Sequence, residues 1–266
     1  MQERKLSMAD KWNSGTRSVP LSRGRADVAI DQGLRSYMLR VYNLMAIGLA
    51  ITGIAAYGLF SMATTSDPSL AVASIHGVGL TQLGVTVFTS PLRWVLMFAP
   101  LALVMFLSFR VNRMSTQTAQ MTFWAYAALV GFSLSTIFLV YTQESIVQVF
   151  FVTAASFGAL SLFGYTTKRD LSAMGSFLIM GLFGLIIAML VNIFLASSAL
   201  SFAISAIGVL LFAGLTAWDT QRIKQLYWEG DDTLVAGRKA IMGALSLYLN
   251  FINMFMFMLQ LFGNRN

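Results

Sequence analysis

Cysteine is missing from the 266 residues, and histidine occurs once, as His76. Without thiols there is no disulfide, no thiol nucleophile and no cysteine-ligated metal, and the compartment stays open. His76 reads as a surface residue of a loop and supplies no base for a nucleophile. HExxH and GxSxG are both missing, and no aspartate pair falls inside an apolar run. Enzymatic chemistry is therefore not expected, nor is a resident cofactor. Charge is also scarce, at 11% of residues against 57% hydrophobic. That imbalance excludes an ordinary soluble domain and puts a membrane class first.

What is present instead is apolar length. A hydrocarbon core needs roughly 20 consecutive apolar residues. Seven runs reach or approach that length: Met38–Ala63, Leu92–Phe109, Met121–Tyr141, Ile146–Tyr165, Met174–Ala196, Ala199–Trp218 and Ala240–Phe262. Buried helices of a soluble protein keep a polar face, whereas GSFLIMGLFGLIIAMLVNIFLA carries one polar side chain after its opening serine. The reading is an all-α polytopic membrane protein with seven transmembrane helices. Residues 1 to 37 are polar and charged and the first run is too long for a signal core, so the first helix is expected to act as its own insertion signal.

Sixteen of the eighteen Lys and Arg residues fall in the N-terminal segment and in the loops after runs 2, 4 and 6, leaving Arg93 and Arg265 on the other side. This positive-inside bias predicts a cytoplasmic N-terminus and an outer C-terminus, with the bacterial inner membrane as the expected location. It also accounts for the net charge of +7. The basic residues are divided among short loops with no nucleic-acid motif, so anionic lipid at the cytoplasmic face is the expected partner rather than nucleic acid.

Residues 1–34 read as a polar, disordered cytoplasmic tail and 35–266 as the membrane domain, with DVAIDQGLRSYMLR as a candidate interfacial helix. The outer loop Thr64–Pro91 includes HGVGLTQLG, which lacks the Lys-Ser/Thr ending of a phosphate loop. Tyr165-Thr166-Thr167-Lys168-Arg169-Asp170 reads as an orientation anchor, and Trp228-Glu229-Gly230-Asp231-Asp232 as a solvated turn with three acids. Pro100 falls mid-run, where it has no N–H to donate to Leu96 and predicts a kink.

Charge at membrane depth is costly and normally marks function or a fixed partner. Of the eleven acids, only Asp219 belongs to the end of an apolar run. Ser201, Ser205, Gly208, Phe212, Thr216 and Asp219 recur at spacings of three and four, which places them on one side of a helix. Gly243, Ser246, Asn250, Asn253, Phe257 and Gln260 do the same in the last run. In lipid such polar seams are buried against other helices, as packing glue or as a functional lining. For Asp219 the alternative to an inward role is an idle carboxylate at the headgroup belt beside Trp218.

Three blocks carry a family resemblance: FGYTTKRDLSAMGSFLIMGLFGLIIAMLVN, FAGLTAWDTQRIK and ALSLYLNFINMFMFMLQLFG. Together they resemble the Bax inhibitor-1 family of transmembrane Bax-inhibitor-motif proteins, which includes bacterial YccA-type members. The resemblance implies seven helices with the last surrounded by the other six. It also implies a pH-sensitive calcium leak, closed by a carboxylate pair on helices 6 and 7 and a nearby arginine. The first acid falls on Asp219 and the arginine on Arg110, with Arg113 as substitute; Asp219 is also the one weak candidate for touching calcium. Thr216, Ser246 and Asn253 are expected as a supporting polar seam.

The second acid is replaced by an amide, since relatives read YLDFINLF where this chain reads Tyr248-Leu249-Asn250-Phe251-Ile252-Asn253-Met254-Phe255. Two carboxylates sharing a site titrate in coupled steps, and an Asp facing an Asn lacks that repulsion. Reduced or altered pH gating is therefore expected. Some bacterial relatives associate with the membrane protease FtsH, so the alternative is a regulator of membrane complexes without transport.

Overall fold

The computed structural model describes residues 21–75 and 77–266, with side chains described from Gln32 onward apart from Asn112. Most of the N-terminal tail and His76 therefore lie outside the described residues. The chain folds as α1 (Leu21–Ala63), a small sheet of β1 (Thr64–Thr65), β2 (Ala73–Ile75) and β3 (Val78–Leu80), then α2 (Gln82–Thr89) and α3 (Leu92–Arg110). After a single 3-10 turn come α4 (Thr116–Leu134), α5 (Ile137–Val140), α6 (Gln143–Thr166), α7 (Ser172–Leu195), α8 (Ser198–Gln225) and α9 (Thr233–Phe262). Among the described residues, seven helical spans are long and apolar enough to cross a membrane, with α4 and α5 forming one of them.

Helix starts follow from side chains that accept from orphan N–H groups. Ser115, Thr142, Ser197 and Asp232 cap α4, α6, α8 and α9, accepting from the amides of Thr118, Ser145, Leu200 and Val235. Asp232 thus has a structural task within the acidic turn, and Asp231 pairs with Lys239. Two of the three loop acids are committed to holding the start of α9.

Helix α9 is the axis. In its most apolar stretch 67% of residues are buried, against 6% for α3 and for α7, which turn most of their surface to lipid. It packs against α8, α1, α6 and α4. Its centre is fixed by Tyr248, whose ring meets Phe123 and Tyr126 of α4 edge-on, both at 5.7 Å. The Tyr248 hydroxyl lies 2.6 Å from Thr52 Oγ1, which in turn reaches the Gly48 and Ala127 carbonyls at 3.0 and 2.9 Å. With no water in the hydrocarbon layer these groups must find one another, and doing so ties α1, α4 and α9 at one level.

Close backbone approach sets the remaining packing. A Cβ on Gly131 would meet the Thr52 carbonyl of α1, and one on Gly164 would meet the Ala217 carbonyl of α8. Small residues at such crossings substitute for the hydrophobic drive that lipid removes.

Two sequence expectations change here. The candidate interfacial helix is continuous with the first span, as α1 runs unbroken from Leu21. The outer loop is ordered as a three-stranded antiparallel sheet in the order β1-β3-β2, with Thr64 opposite Leu80 and Ala73 opposite Leu80. Leu80, fully buried, packs with Phe60, Ala63, Val87, Phe88 and Leu139 and so seals the sheet end of the bundle. Pro100 lies inside α3, which continues through it.

Candidate functional site

Helices α8 and α9 run antiparallel and press their two polar seams together. Ser205 donates to Gln260 at 2.8 Å. Further along, the Phe212 and Phe257 rings stack at 5.9 Å, and Gly208 makes room for Phe257. At the opposite end from the sheet the seam closes on Asp219. Spacing alone brings these residues to one face of each helix, and the antiparallel hairpin brings the faces together.

Asp219 is 4% exposed. Its Oδ2 accepts from Ser246 at 2.8 Å and from Asn250 Nδ2 at 2.7 Å. Its Oδ1 lies 2.8 Å from Arg222 Nη2, an ion pair whose angle is not that of an aligned hydrogen bond. The Arg222 guanidinium also donates to Ser246 Oγ at 3.3 Å and lies over the Trp218 ring at 4.8 Å. Arg222, Ser246 and Asn250 thus converge on a single carboxylate, which is how a membrane protein tolerates such a charge. The partners differ in exposure. The Asp219 side chain is 6% accessible and that of Arg222 46%, so the arginine stands with its outer edge in solvent.

Arg110 is not brought to this site. Helix α3 packs against α4 and the short α2, on the periphery of the bundle, and the Arg110 guanidinium sits over its own Phe106 ring at 5.9 Å. Arg113 belongs to the turn after α3. The cation at Asp219 is Arg222, which sequence reasoning passed over. The available signal was local: an acid and an arginine three residues apart on a helix face each other.

The supporting seam divides. Ser246 touches Asp219 directly, whereas Thr216 is buried with its hydroxyl donating to the Phe212 carbonyl of its own helix at 2.7 Å. Asn253 donates to Leu249 at 2.8 Å and lines a cleft of about 490 Å³ bounded by α7, α8 and α9. Asp219, Arg222, Ser246 and Asn250 form the polar end of that cleft; Leu182, Met189 and Leu249 are among its apolar walls. Helix α7 packs on α8 and faces α9 across the opening.

Nearby polar groups serve the frame. Gln221 clamps the α6–α7 connection, donating to the Arg169 carbonyl and accepting from the Leu171 amide, both at 2.8 Å. In that loop Asp170 accepts from the amide and hydroxyl of Ser172, which holds its carboxyl below the usual range. Asn192 closes the α7–α8 turn, donating to Ser201 at 2.7 Å and accepting from the Ser197 amide at 3.1 Å.

Comparison with known proteins agrees with this architecture. The family model described as inhibitor of apoptosis-promoting Bax1 matches residues 34–266. An uncharacterised protein of Caulobacter vibrioides is 47% identical over 254 residues, covering 95% of this chain and 97% of the relative. A Rickettsia prowazekii protein is 47% identical over 235 residues, 88% of this chain and 92% of its own length. The inner membrane protein YbhL of Escherichia coli is 43% identical over 235 residues, 88% of this chain and 93% of that protein.

Proposed function

The chain belongs to the Bax inhibitor-1 family of integral membrane proteins, and from that premise we propose that it is a cation leak, with calcium as the transported ion, gated near Asp219. The observation that carries this reading is a nearly buried carboxylate held at the polar end of a membrane-embedded cleft by a half-exposed arginine. An ion pair with one partner in solvent is screened and weakly held, so Arg222 is able to leave for the aqueous face. While it stays, the pair is neutral and offers a cation nothing; when it swings away, Asp219 is bared to the cleft.

The ligands then available are one carboxylate, the Ser246 hydroxyl and the Asn250 amide. A hard cation prefers more oxygens and more charge than this, so the set favours passage over tight retention. No catalytic step is assigned to any residue. The orientation proposed is a cytoplasmic N-terminus and outer C-terminus in the bacterial inner membrane, from the positive-inside bias together with the similarity to the Escherichia coli inner membrane protein YbhL.

Asn250 bears on the pH response. Its amide donates to Asp219 and cannot share a proton with it; an acid in its place creates a coupled pair. In proteoliposomes, Asn250→Asp is expected to steepen the pH dependence of calcium flux relative to the parent chain. An unchanged flux curve removes Asn250 from the gate, and absence of flux from the parent chain and its variants favours the alternative, a non-transporting regulator of membrane complexes such as the FtsH protease.

A further inference from the structure

Helices α1 and α6 stand side by side but pack mainly on other helices: α1 rests on α4 and α9, and α6 on α8 and α9. Between them runs an apolar groove in two sections. The section at the basic end, about 580 Å³, is lined by Arg35, Leu39, Tyr42, Phe157, Leu162 and Tyr165 among others. The section toward the sheet end, also about 580 Å³, is lined by Ile54, Val147 and Phe151 and floored by Phe251, Ile252 and Phe255 of α9. Ala46 lines both, so the sections meet there.

Length and charge identify the occupant. From Arg35 to Ala46, α1 rises roughly 16 Å, about half of a hydrocarbon core of roughly 30 Å. The basic-end section therefore matches the acyl layer of one leaflet. Among the described residues, Arg35 is the one charged residue in its lining and stands at the mouth. A second cation touches a residue of the same lining: Lys224 donates to the Tyr165 carbonyl at 2.8 Å and sits 5.0 Å from the centre of the Tyr165 ring. Deeper in, Gly158 leaves the groove open, since a Cβ there would meet none of the described residues within 4 Å.

We propose that this groove binds one anionic phospholipid of the basic-side leaflet, an acyl chain lying between α1 and α6 and the phosphate at Arg35 and Lys224. An apolar cleft facing lipid is filled by a chain because bare walls forfeit dispersion contacts. The two cations select the headgroup by charge. This site is separate from the Asp219 cleft and does not depend on ion flux.

The test is native mass spectrometry of the full chain released from nanodiscs of equal phosphatidylglycerol and phosphatidylcholine. One retained phosphatidylglycerol is expected. Arg35→Gln should lower the ratio of retained phosphatidylglycerol to phosphatidylcholine about fivefold, the equivalent of one headgroup–cation attraction. Gly158→Leu, which fills the groove, should reduce retention of both lipids. Arg40→Gln, on α1 but outside this groove, should leave the ratio as in the parent chain. Retention of no lipid, an equal loss with Arg40→Gln, or full retention by Gly158→Leu would each overturn the proposal; circular dichroism confirms that each variant is folded.

Discussion

At the residue scale, Asp219 is held where two polar helix faces close on each other, with Arg222 one turn away on its own helix. Spacings of three and four put Asp219 with Ser205 and Gly208 on one face, and Asn250 with Ser246 on another, and these faces meet. Arg110, expected at the site from the family resemblance, stands apart from it because α3 lies on the periphery of the bundle. Arg222 needed only the rule for neighbours one turn apart. Thr52 is a case that no local pattern marks: an unremarked threonine in an apolar run that satisfies Tyr248 across the bundle. Thr52→Val keeps the shape and strands the tyrosine hydroxyl, at a cost of about 1 kcal/mol on the scale of interhelical hydrogen bonds in membranes. A lowered unfolding midpoint in mixed micelles, restored by Thr52→Ser, is the expected result.

At the element scale, the spans were read from hydrophobic length, which left out their polar first turns, whose starts the Ser115, Thr142, Ser197 and Asp232 caps fix in the structure. The outer loop was not readable in the same way. Its strands are two or three residues long, too short for alternation to register, and they are ordered by Leu80 packing into the sheet-end cluster. The α7–α8 turn hides its geometry as well. Ala196 has φ of 47°, a left-handed conformation that glycine usually marks, and it is held there by Asn192 and Ser197 around it. Asn192, the one polar side chain of this apolar run after its opening serine, is a turn clamp.

At the scale of the whole molecule, the division of charge and the burial of α9 carry the account. The basic end gathers Arg35, Lys224, Arg222 and Arg238, and the sheet end keeps Arg93 and Arg265. Because the chain has no cysteine of its own, single cysteines report sidedness without background. A membrane-impermeant maleimide applied to intact spheroplasts should label a cysteine at Ser69 and spare one at Lys168; the reverse pattern would invert the proposed orientation.

The central claim is that Arg222 guards Asp219 against cations entering the cleft. It is tested most directly by a double-mutant cycle of Asp219→Asn and Arg222→Gln, read as calcium flux in proteoliposomes. The account predicts that Arg222→Gln raises flux, Asp219→Asn lowers it, and the double variant behaves as Asp219→Asn alone, because an arginine with nothing to guard has no effect. Additive effects, or flux indifferent to both residues, would contradict it.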